Sequence, residues 1–108
     1  MARKSRFYSI TMRNGHGTWT SGPVPAASKD HAACYFETQD IKVIAKDYLG
    51  QCLVVTDTTP YDGVVFYATV GGQVIEFNSN CVGYNYLVEL FHKQYAQGID
   101  QLNDEHDY

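Results

Sequence analysis

No apolar run in this chain approaches the roughly 20 residues needed to cross a bilayer, so the sequence offers no membrane-spanning helix. Cysteine is sparse as well. Cys34, Cys52 and Cys81 form no close pair, and neither Cys-x-x-Cys nor His-x-x-x-His spacing is present to seed a zinc site. An odd cysteine count, with no apolar leader after MARKSR, points to a reducing cytoplasmic interior rather than secretion. Positive charge is scarce: 8 Lys and Arg stand against 12 Asp and Glu, a net charge of -4, which excludes an extended phosphate-binding surface. Glycine-rich phosphate loops, nucleophile elbows and paired catalytic carboxylates are all missing. The nearest glycine cluster, residues 14–17 (NGHG), leads into Thr18-Trp19 rather than into a helix whose amides could hold phosphate.

What the chain has is aromatic side chains, 14% of residues and nine of them tyrosine. Tyrosine buries area while keeping a polar tip, which suits either a small core with half-wet edges or a contact surface. A length of 108 residues fits a single α+β domain over 1–108, with loose termini expected at 1–5 and 100–108.

The clearest local signal is VVFYATVGGQVIEFN, Val64 to Asn78. Two β-type runs flank Gly71-Gly72, and a two-residue type I′ turn needs φ > 0 at both central positions. That turn fixes the register: Val70 faces Gln73, Ala68 faces Ile75, and Phe66 faces Phe77. Phe66, Ala68, Val70, Ile75 and Phe77 then line one side as core. The other side, with Val65, Tyr67, Thr69, Val74 and Glu76, is mixed enough to be a docking surface.

Upstream, Arg6 to Arg13 alternates as a strand, and Asn14 to Gly17 turns the chain into a short return strand at Thr18 to Thr20. Ser28 caps a helix expected to run to about Thr38, with Ala32, Ala33 and Phe36 inward; losing the cap should cost about 1 kcal/mol. Ile41 to Ala45 and Cys52 to Thr56 read as a second hairpin turning through Asp47 to Gly50. Thr58 to Gly63 is a turn-rich connector. Tyr84, Leu87, Val88, Phe91 and Tyr95 make one stripe of a second helix, from Gly83 or Tyr84 to Gln97. The expected architecture is a single antiparallel sheet of hairpins with two helices packed on one face.

Three functional readings follow. The first is a non-enzymatic protein-binding module, a homodimer or a subunit of a larger assembly, that occupies a partner's surface through Trp19, Tyr61, Tyr67, Glu76 and Tyr86. Its short, acidic, aromatic and motif-free profile is similar to that of many small inhibitors encoded by phages and mobile elements. The second is a small-ligand binder or modest enzyme with His16, His31 or Cys34 in a cleft between a helix and the hairpin loops. The third is weak nucleic-acid contact through a basic start, Arg3, Lys4, Arg6 and Arg13. No cofactor or metal is expected: His31 and Cys34 share a helix face at i, i+3, but no third ligand accompanies them, and Cys81 and His92 lie too far apart on one helix to act together.

Overall fold

The structure is a computed structural model in which residues 2–56 and 64–92 are described. The strands are β1 (Ala2–Asn14), β2 (Gly17–Thr20), β3 (Val24–Pro25), β4 (Lys42–Val55), β5 (Phe66–Val70) and β6 (Gln73–Phe77). Helix α1 is Lys29–Cys34, and α2 is helical over residues 84–92. The fold is α+β, one antiparallel sheet with two helices. The strand order is β2-β1-β4-β5-β6, and β3 also pairs with β1.

The diglycine hairpin has the register that its turn requires. Phe66 pairs with Phe77, Ala68 with Ile75, and Val70 with Gln73. Gly71 and Gly72 have φ of 59° and 83°, as a type I′ turn demands. Phe66, Ala68, Val70 and Phe77 are buried and Ile75 is half-buried, whereas Tyr67, Thr69, Val74 and Glu76 are exposed.

Two expectations need correction. Residues 1–5 were expected to be loose, yet β1 starts at Ala2, and Ala2 to Arg6 pair with Val55 to Gln51. The backbone donors and acceptors at this end are taken up by β4, which the polar side chains alone do not reveal. The second hairpin is also absent: Ile41 to Ala45 and Cys52 to Thr56 are not two strands around a turn, because β4 runs unbroken from Lys42 to Val55. Between Gly50, opposite Phe7, and Tyr48, opposite Tyr8, the extra residue is Leu49. Between Ala45, opposite Thr11, and Val43, opposite Met12, it is Ile44. The first β-bulge absorbs a residue of the stretch that looks like a turn in the sequence, the second falls within the run read as a strand, and both extra side chains are exposed. Gly50 keeps the left-handed φ of 111° expected of it, but within a strand.

Helix α1 is shorter than its pattern suggested. Ser28 is its N-cap, and its hydroxyl accepts the His31 N–H at 3.2 Å. After Cys34 the chain tightens, with Tyr35 N–H donating to Ala32 O and Phe36 N–H to Ala33 O. Residues 57–63, 93–108 and Met1 lie outside the described part, and with them the Thr58 to Gly63 connector, Tyr61, Tyr95, the end of α2 and the expected loose end at 100–108.

Among the described residues the core has two clusters. Phe7, Val54, Phe66 and Phe77 pack with Tyr84, Leu87 and Phe91 of α2, whereas Tyr8, Ile10, Met12 and Val24 pack with Ala26 and Ala32 beside α1. Successive strand residues point apart, so β1 feeds the first cluster through Phe7 and the second through Tyr8. Strong curling of the sheet brings Phe7 and Phe77, three strands apart, to 6.0 Å between ring centroids.

Candidate functional site

Register places the exposed residues of the sheet in rows. Ala2, Val55, Tyr67 and Glu76 are successive partners across β1, β4, β5 and β6. In the next row Lys4 pairs with Leu53, and Thr69 pairs with Val74. Partners share a side of the sheet, as do residues two apart, so these side chains form one face. The row on the other side, Arg3, Val54, Ala68 and Ile75, turns toward α2, where Arg3 Nη1 donates to Leu90 O at 3.4 Å.

The outward face is apolar at its centre. Leu53 is 50% exposed, Val55 39%, Tyr67 37% and Val74 71%. Each such residue alone is ordinary on a surface, but Val55 and Tyr67 are direct partners, Leu53 lies two residues from Val55 on the same side, and Val74 is diagonal to Tyr67, so the four are neighbours on one face. Its flanks are polar and of opposite sign, with Lys4 and Arg6 exposed on β1 and Glu76 exposed on β6.

Of the candidate contacts, the structure brings Tyr67 and Glu76 together as direct partners. It does not bring Trp19 to them. Trp19 pairs with Met12, which pairs with Val43, at the far end of β4 from the Val55 that meets Tyr67. At roughly 3.3 Å per residue, that interval of β4 is on the order of 40 Å of strand. Tyr86 is half-buried with its ring edge-on to His31, 6.1 Å between centroids, so it joins the two helices. Leu53 and Val55 were missed as contacts because Cys52 to Thr56 is apolar at every position but the last, leaving no alternation to tell the outer side from the inner.

The basic residues do not form an arm. They lie along β1, with Lys4 and Arg6 on the open face, Arg3 toward α2, and Arg13 near the turn at the opposite end. His16 is exposed in that turn, where its N–H donates to Asn14 Oδ1 at 2.8 Å. Cys34 is exposed on α1, and His31 stacks against Tyr35, 5.5 Å between centroids. Among the described residues, no three His, Cys, Asp or Glu side chains gather closely enough to hold a metal ion.

Among the described residues, three of the clefts that indent the surface can be followed, and His16, His31 and Cys34 line none of these three. One of about 410 Å³ lies between the sheet and the start of α1, lined by Arg6, Tyr8, Ser28, Lys29 and Tyr48. A second, about 270 Å³, separates β6 from the segment before β3 and includes Phe36 and Val82. A third, about 290 Å³, is bounded by Arg3, Ala27, Tyr86, Glu89 and Leu90.

Near the first cleft, Lys46 Nζ donates to Asp30 Oδ1 at 2.8 Å. That bond, with the ammonium charge, holds the Asp30 carboxyl below its ordinary range, and the same bond, with the carboxylate charge, raises Lys46 above its own. Tyr35 donates its hydroxyl to Pro25 O at 2.9 Å, and burial, with a smaller contribution from Tyr86, pushes its pKa up to about 12.

Compared with protein-family models, curated proteins and solved structures, the chain matches none. No helix among the described residues is long and apolar enough to cross a membrane.

Proposed function

We propose that this protein is a non-enzymatic binding module that acts by occupying the surface of another protein, as a small inhibitor does, using the open face of β4, β5 and β6. The observation that carries the reading is that Leu53, Val55, Tyr67 and Val74 are neighbours on one face of the sheet and are all exposed. Apolar and aromatic residues at the centre of a patch with charged flanks match the anatomy of protein interfaces, where a few central side chains carry most of the energy. An intracellular setting is supported by the three cysteines, all unpaired thiols.

The test is capture of a partner by the wild type and by a Leu53→Lys/Val74→Lys variant, with the folded state of each checked by circular dichroism. Because both side chains point outward, the variant should stay folded and lose its partner, with affinity falling by a factor of about 30 or more. A lone monomer by light scattering that captures nothing, or equal capture by both proteins, rejects the proposal.

A further inference from the structure

We propose that the cleft between the sheet and the start of α1 binds a nucleoside phosphate, free or as one unit of a single strand, with the base on Tyr48 and the phosphate between Arg6 and Lys29. This goes beyond the protein-binding reading and does not rest on it. Tyr8 and Tyr48 are strand partners whose rings lie 5.4 Å apart and tilted by 45°. Tyr8 is buried and Tyr48 is 58% exposed, so a ring fixed in the core steadies one that lines the cleft. A steadied exposed aromatic ring is what a base stacks upon, whatever its sequence.

Among the described residues, the charge on the cleft's walls is of one sign. Arg6 is fixed by a hydrogen bond from Nη1 to Ala27 O at 3.4 Å, which uses one of its five N–H donors. Lys29 is exposed on the opposite wall. Among the described residues no acid lines the cleft, and the neighbouring Asp30 is engaged by Lys46. Two cations facing one space suit a phosphate, and Arg6 can meet it through two parallel N–H bonds. A volume of about 410 Å³ lies within the range of small-molecule sites. Lys4, two residues from Arg6 on the same side of β1, continues the line of positive charge along the path that a longer strand would take.

The ligand must have both a ring and an anion, because a phosphate alone leaves Tyr48 unused and a neutral ring leaves the cations unused. The experiment uses the full chain and three probes: adenosine monophosphate, a ten-residue oligothymidylate and inorganic phosphate, titrated by calorimetry at two salt concentrations. The expected result is binding of the nucleotide or the oligonucleotide at least tenfold tighter than inorganic phosphate, weakened about tenfold or more by Tyr48→Ala and preserved by Tyr48→Phe. Binding of the mononucleotide as strong as that of the oligonucleotide identifies a free nucleotide. Tighter binding of the oligonucleotide, with a salt slope that Lys29→Ala lowers by roughly 0.7, identifies a single strand. Since shortening Tyr48 also removes its contact with Tyr8, Lys29→Ala is the variant that tests the site with packing intact. The proposal is overturned if neither nucleotide probe binds at millimolar concentration, if inorganic phosphate binds as tightly as they do, or if Lys29→Ala and Tyr48→Ala both bind like the wild type.

Discussion

Gly83 and Pro25 are packed so closely that a β-carbon on Gly83 would stand 2.7 Å from Cδ of the proline ring and 2.8 Å from Cγ. The contact locks the start of α2 against β3, and so couples the helix to the edge of the sheet beside β1. Gly83 also has φ of 90°, which side-chain-bearing residues rarely adopt.

Gly83→Ala combines backbone strain with a clash against a ring that cannot swing aside. The expected loss is roughly 2–4 kcal/mol in urea unfolding, larger than for an ordinary surface glycine. A loss under about 1 kcal/mol would show that α2 can shift away from β3 at little cost.

The diglycine turn gives a prediction of opposite sign for two substitutions at one position. Gly71→Asn should be neutral or slightly stabilising, within about 0.5 kcal/mol, because asparagine tolerates the left-handed region and is favoured at the first position of a type I′ turn. Gly71→Val should cost roughly 1–2 kcal/mol, since a β-branched residue is strained there. Both are read from chemical denaturation, and equal effects would mean that the turn does not constrain the hairpin.

Tyr35 predicts a loss of stability in alkali. Its pKa is raised to about 12 in the folded protein from 10.0, so its contribution is complete below pH 10 and disappears as pH rises toward 12, where unfolded chains release the proton more readily. Tyr35→Phe should flatten this part of the stability profile, while costing about 1 kcal/mol at neutral pH through the lost hydrogen bond to Pro25 O. Parallel wild-type and variant profiles between pH 10 and 12 would refute the assignment.

The diglycine hairpin was legible to the residue because turn chemistry and alternation agree there, and both are local. The same local logic failed at Asp47 to Gly50, where tyrosine and glycine imitate a turn; only the presence of β1 along the whole of β4 turns those residues into a bulge. It failed again at Ala2 to Ser5, whose mostly polar side chains hide a backbone paired with Cys52 to Val55, far away in the chain. The site divides along the same line. Tyr67 and Glu76 could be placed together from the hairpin alone, whereas their continuation through Val55 and Leu53, and the distance of Trp19 from both, depend on long-range pairing.

The ladder between β1 and β4 has a consequence for how the chain is made. β1 leaves the ribosome well before β4, the strand with which it makes its longest pairing. Until then the nascent chain leaves the β4 side of β1 unpaired, with Phe7, Tyr8, Ile10 and Met12, all buried in the finished fold, still short of their full cover. Because loop closure must precede the reward of such distant contacts, folding of this sheet should be slow and sensitive to the speed of translation through residues 42–55.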